Sequence, residues 1–132
     1  MNMPKITPFL MFNGQAEEAM NFYVAIFSNS EIKSMKQFGA NEAGAEGSVM
    51  TASFSLNGHE YMCMDSSVKH EFTFTPSLSL HVSCETEEEI DHVFEKLSQD
   101  GNILMPLSAC TFSKKFGWTQ DKYGVSWQLA LV

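Results

Sequence analysis

The sequence predicts an α+β fold made of two tandem βαβββ modules, and three observations carry that reading. The pattern of Gln15 to Ile32, QAEEAMNFYVAIFSNSEI, returns without a gap 71 residues later as TEEEIDHVFEKLSQDGNI, Thr86 to Ile103. Within the two copies, Ala19, Phe22, Tyr23 and Ile26 fall on Ile90, Val93, Phe94 and Leu97, the i, i+3, i+4, i+7 stripe of a helix buried on one side. The same order of short strands and turns surrounds each stripe.

Ile6 to Phe12 is short and apolar and closes on Asn13-Gly14, a strand leading into the first helix with Asn13 or Gly14 near its N-cap. Glu17-Glu18, like Glu88-Glu89 in the second copy, places negative charge where a helix N-terminus favours it. Ile32 to Phe38 follows as a second strand, and Gly39 to Gly47 as an acidic, glycine-rich loop. Ser48 to Leu56 and His59 to Met64 flank Asn57-Gly58, the dipeptide that most favours a two-residue hairpin because both central residues must take positive φ. The second half repeats the order: strand Ser77 to Ser83, helix Glu87 to Ser98, a strand near Asn102 to Met105, a loop, strand Phe112 to Thr119, a turn, and strand Val125 to Leu131. The expected organisation is one domain, 1–132, of two modules at about 5–65 and 77–131 with a connector at 66–76.

At 132 residues and 44% hydrophobic, the chain is long enough to bury one sizeable core. Sixteen acidic against eight basic residues give a formal charge of -8, which repels nucleic acid and anionic membrane. The three cysteines, Cys63, Cys84 and Cys110, show no C-x-x-C spacing, so neither a structural zinc site nor a complete disulfide framework is expected, and a reducing cytoplasm fits. The N-terminal apolar run is short and broken by Pro4 and Pro8, unlike a secretory signal or a membrane span.

The duplicated order, with NFYVAIF in the first helix and FGWTQDKYGVSWQL in the final hairpin, resembles the vicinal oxygen chelate superfamily of glyoxalase I, bleomycin-resistance proteins and extradiol dioxygenases. ITPFLMFNGQAEEAMNFY, FTPSLSLHVSC and FGWTQDKYGVSWQL together are similar to its PhnB-like branch, whose members often carry the label 3-demethylubiquinone 3-methyltransferase. The resemblance implies cupped mixed sheets, helices on the convex side, and a ligand on the concave side.

Alternation then assigns faces. Leu78, Leu80 and Val82 form one apolar row, and Ser77, Ser79, His81 and Ser83 the row facing the cup. In the last strand Val125, Trp127, Leu129 and Leu131 form the apolar row, while Gln128 faces the cup and corresponds to Met62. Metal-dependent relatives of this type hold an ion at positions that fall on about Pro8, Met62, Ser77 or Ser79, and Gln128. None supplies a carboxylate or imidazole, so no metal and no other cofactor is expected.

His81 is the best candidate for a proton-transfer or ligand-binding group, since imidazole titrates near neutral pH; the competing reading has it hydrogen-bonded to Ser79, Ser83 or a neighbouring strand. His59 and His92 read as solvated. Cys63 reads as a small buried hydrophobe, whereas Cys84 stands where a helix N-terminus lowers a thiol pKa or where the residue simply packs. Asp121 reads as a turn stabiliser, and Lys114-Lys115 as a solvated loop edge. A methyl donor of nucleotide type calls for a glycine-rich turn between a parallel strand and a helix, and no such turn is found here.

The leading expectation is a cytoplasmic protein that binds an apolar or aromatic small molecule without a metal, using Met62, Ser77, Ser79, His81, Trp118 and Gln128, and pairs as a homodimer. The alternatives are a metal-dependent lyase, isomerase or dioxygenase, and a structural homodimer whose cup is filled by its own side chains.

Overall fold

The computed structural model describes residues 4–132, so the first three residues of the expected domain lie outside the described residues. Two compact units divide the chain, Met1–His70 and Glu71–Val132. The first holds β1 (Phe9–Phe12), α1 (Ala16–Ile26), β2 (Glu31–Gln37), β3 (Val49–Leu56) and β4 (His59–Asp65). The second holds β5 (Ser79–Cys84), α2 (Glu87–Ser98), β6 (Asn102–Cys110), β7 (Ser113–Gln120) and β8 (Ser126–Leu131). Each unit is thus βαβββ, an α+β fold in two modules. The first sheet runs β1-β4-β3-β2 and the second β5-β8-β7-β6. In both, the first and last strands of the unit pair in parallel and the other neighbours antiparallel.

Each helix covers one face of its own sheet. In α2 the buried residues are Ile90, Val93, Phe94 and Leu97, all four of the predicted stripe. In α1 they are Ala16, Ala19, Met20 and Tyr23; Phe22 and Ile26 are half-buried, so the buried stripe is rotated toward Met20. Tyr23 stacks on Phe54 of β3, with centroids 6.3 Å apart, and Phe54 stacks on Tyr61 of β4 at 5.5 Å. In the second unit Val125, Trp127, Leu129 and Leu131 are all buried, as alternation predicts. Gly117 lets α2 approach this face, because a Cβ there would lie 2.6 Å from Phe94 Cε1 and 2.7 Å from Leu107 Cδ2.

The hairpin at Asn57-Gly58 takes φ values of 49° and 82°, the positive pair that its sequence predicts. The start of α1 is different from expectation. Its N-cap is Gln15, with no side-chain cap. Asp65, at the end of β4 and only 2% exposed, supplies the acceptor instead. Its Oδ1 accepts from the Gly14 N–H (2.8 Å) and the Ala16 N–H (2.9 Å), and its Oδ2 from the Val49 N–H (2.9 Å). By contrast α2 is capped locally. Thr86 Oγ1 accepts from the Glu89 N–H, and Glu89 Oε1 accepts from the Glu85 N–H, both at 3.1 Å, a variant of the reciprocal capping box.

Three strand boundaries also move. The strand expected from Ile6 begins at Phe9, and the one expected from Ser77 begins at Ser79, leaving Leu78 exposed in the preceding turn. The strand expected to stop near Met105 continues through Pro106 to Cys110. Proline is tolerated there because β6 is an edge strand with several register shifts.

Two substitutions test this packing. Leu97 is fully buried, so Leu97→Ala should lower unfolding free energy by about 2 to 5 kcal/mol, measured by urea denaturation. Asp65→Ala strands three buried or half-buried N–H groups and should cost about 3 kcal/mol or more in the same assay.

Candidate functional site

The face of each sheet away from its helix carries the candidate residues. In the second unit, Ser98 Oγ lies 2.9 Å from Thr119 Oγ1, which places Thr119 toward α2 and the alternating Trp118 on the opposite face. Trp118 pairs with Gln128, and Gln128 pairs in turn with His81. These three residues therefore form one row across β7, β8 and β5. Two residues back along each strand, on the same face, Ser79 pairs with Ser126. Ser77, expected on the same row, lies ahead of β5, exposed, with its Oγ 2.8 Å from Thr75 Oγ1.

The polar groups of this face divide into committed and free. Trp118 Nε1 donates to Ser126 Oγ at 2.8 Å, and Ser126 Oγ lies 2.7 Å from Ser79 Oγ. Gln120 Nε2 donates to the Gly124 carbonyl at 3.1 Å. His81 is exposed and Gln128 half-buried, and neither side chain has a hydrogen-bond partner among the described residues. Ser79 Oγ is thus directed to Ser126 and to the Pro76 carbonyl rather than to His81.

The matching face of the first unit is richer in thioethers. Phe9 pairs with Met62 and Met11 with Met64 across β1 and β4, and Met11, Met62 and Met64 are half-buried. Met62 and Gln128 hold the same ladder position, each beside the first strand of its unit. The ladder places Phe9 opposite Met62 and His81 opposite Gln128, one residue along from the expected Pro8, whose carbonyl accepts from the Met62 N–H at 2.9 Å. Glu60 shares the Met62 row but is paired with Lys5. That hydrogen bond holds the Glu60 carboxyl below its usual range. Lys5 and Glu60, with Ile6, Thr7, Pro8, His59 and Tyr61, line a shallow cleft of about 320 Å³.

These donors do not fit a divalent ion. The positions beside the parallel strand pairs offer a thioether, an amide, a phenyl ring and one imidazole, and no cluster of three or more His, Cys, Asp or Glu suited to a metal is found among the described residues. Both helix N-termini are occupied by the chain's own carboxylates, Asp65 at α1 and Glu89 beside the Thr86 cap at α2. Lys115 is engaged as well, 2.6 Å from Asp91 Oδ1, and that bond raises its pKa. Asp121 is a turn residue, with Oδ1 accepting from the Tyr123 and Val125 N–H groups and Oδ2 from Trp127 Nε1.

The cysteines separate by burial. Desolvation, reinforced by the Asp65 carboxylate, pushes the Cys63 thiol from 9.0 to about 12. Burial with Glu89 nearby pushes Cys84 up to about 11, so packing outweighs the helix N-terminus there. Cys110 is half-buried.

Two βαβββ units, each an open sheet with a helix behind it, define a protein of the vicinal oxygen chelate fold class. A family model described as 3-demethylubiquinone-9 3-methyltransferase matches residues 4–130. The chain belongs to that family, the PhnB-like branch. Among solved structures it is similar to a PhnB protein from Bacillus cereus that carries the provisional name 3-demethylubiquinone-9 3-methyltransferase, at 64% identity and a TM-score of 0.95, covering 98% of this chain and 100% of that one. A protein from Pseudomonas aeruginosa shares the fold at 24% identity, TM-score 0.85 and 98% coverage of both chains. A glyoxylase/bleomycin resistance protein/dioxygenase domain from Frankia sp. does so at 13% identity, TM-score 0.68, covering 99% of this chain and 98% of that one. No curated protein matches. Among the described residues no helix is long and apolar enough to cross a membrane.

The raised thiols give a pH prediction. Because the native values lie above the unfolded ones, the stability they contribute is complete below pH 9 and is lost as pH rises through the native values near 11 and 12. Urea midpoints should therefore fall between pH 9 and 11, and at pH 8 iodoacetamide should label Cys110 first, as read by peptide mass spectrometry, with Cys63 and Cys84 labelled only on unfolding.

Proposed function

We propose that the chain is a small-molecule-binding protein whose open sheet faces take a planar aromatic or otherwise apolar ligand without a metal, residues 1–132 acting as one functional domain. The observation that carries this reading is the Trp118-Gln128-His81 row: a half-buried indole whose N–H is already bonded, beside an amide and an imidazole with no hydrogen-bond partner among the described residues. A ring stacked on Trp118 places its edge within reach of these two groups. The open face of the first sheet, with half-buried Met11, Met62 and Met64, is by itself an adaptable apolar surface on which Met62 can pack against such a ligand. The charge of -8 supports a neutral or weakly polar ligand over a polyanion.

Methyl transfer in the manner of a nucleotide-type donor has less support. Each strand-to-helix turn lacks the glycine-rich loop, and the N–H groups a donor needs are bonded to Asp65 or stand beside the Glu89 carboxylate.

Native mass spectrometry of freshly purified protein reports a retained ligand or metal directly. Titration with the neutral dye N-phenyl-1-naphthylamine should then show saturable binding, weakened about tenfold by Trp118→Ala, the loss expected for one aromatic contact. His81→Ala should weaken binding with the thermal midpoint unchanged, because His81 is exposed. A stoichiometric metal, or equal dye binding by both variants and the parent, overturns the reading.

A further inference from the structure

Trp118 is an indole on an open face, and nothing in the β-strand backbone chooses between the two flips of its ring. Among the described residues, one polar side chain bonds its N–H. Ser126, 1% exposed, sits diagonally across the β7–β8 ladder, two residues before Gln128, the cross-strand partner of Trp118. Its Oγ accepts from Trp118 Nε1 at 2.8 Å. An indole nitrogen is a donor only, so the Ser126 oxygen is the acceptor and its hydrogen must be used elsewhere. The neighbouring acceptor is Ser79 Oγ, 2.7 Å away on the parallel strand β5. Ser79 has the Pro76 carbonyl as acceptor for its own hydrogen, at 3.5 Å. Each hydroxyl is satisfied when the chain runs one way, from Trp118 through Ser126 and Ser79 to Pro76.

We propose that Ser126 is a positioning residue for the ligand site, and that the Ser126–Ser79 hydroxyl relay locks Trp118 with its N–H turned into the sheet. The proposal rests on the reading that the Trp118-Gln128-His81 row binds an aromatic ligand, and it narrows the ligand. With the indole N–H, Ser79 and Ser126 all consumed by one another, the platform offers π surface and no donor. The ligand's polar group is therefore read at one edge only, by Gln128 and His81. The class that fits is an aromatic or heteroaromatic ring with a hydrogen-bonding substituent on one side. In the first unit the corresponding ladder positions are Ser53 for Trp118 and Glu60 for Ser126, so that unit has no counterpart of the relay.

The test uses the full chain, labelled with nitrogen-15, and N-phenyl-1-naphthylamine as probe. Ser126→Ala should speed solvent exchange of the Trp118 indole N–H and weaken dye binding, each by about tenfold, the loss expected for one hydrogen bond. Ser126→Thr, which keeps the hydroxyl, should restore both. Ser79→Ala breaks the relay one step from the indole and should give a smaller change of the same sign; it carries the test if Ser126→Ala does not fold. Wild-type exchange and wild-type dye affinity in folded Ser126→Ala overturn the proposal, as does failure of Ser126→Thr to restore either. Failure of the site reading looks different: the parent chain then binds no dye, or Trp118→Ala binds as the parent does, while indole exchange still responds to Ser126→Ala.

Discussion

Asp65 gives its carboxylate to three backbone N–H groups drawn from two places in the chain, the β1–α1 turn and the first residue of β3. A buried carboxylate is tolerable only when its oxygens are well supplied with donors. That requirement, met from the end of β4, draws together the start of the helix and two strands on which it lies. The helix N-terminus is thereby filled from within, and burial, reinforced by the Asp65 carboxylate, keeps the neighbouring Cys63 thiol protonated. In the second unit Asp121 does comparable work at the β7–β8 turn, holding two backbone N–H groups and the indole of Trp127.

The two units share a scaffold and differ where the open faces lie. Phe9, Met62, Ser53 and Glu60 stand in the first sheet where His81, Gln128, Trp118 and Ser126 stand in the second. One set offers a thioether and a phenyl ring with its carboxylate tied to a lysine; the other offers an indole, an amide and an imidazole, the last two with no hydrogen-bond partner among the described residues. Family membership follows from the shared scaffold, whereas chemistry depends on the residues that differ. For that reason a family description that names a methyltransferase does not by itself supply a donor site.

Much of the scaffold was legible beforehand. Helical periodicity returned the four buried residues of α2, the hairpin at Asn57-Gly58 took the φ signs its dipeptide requires, and alternation placed Trp127 and Leu129 inward. The errors had a common character. The end of β6 was hidden because edge pairing overrides the local signal of Pro106, and the buried stripe of α1 takes in Met20 while Phe22 and Ile26 are left half-buried, a rotation that helical periodicity alone does not specify.

By itself, then, the sequence determined the elements, their duplicated order and the inward faces, since periodicity and turn chemistry are local and survive without neighbours. Tertiary structure alone decided the strand register that sets His81 beside Gln128, the Asp65 cap of α1, and the Trp118-Ser126-Ser79 connection. Each joins residues distant in the chain or diagonal on a sheet, and no local pattern carries the information of which partner a polar group meets once the chain has closed.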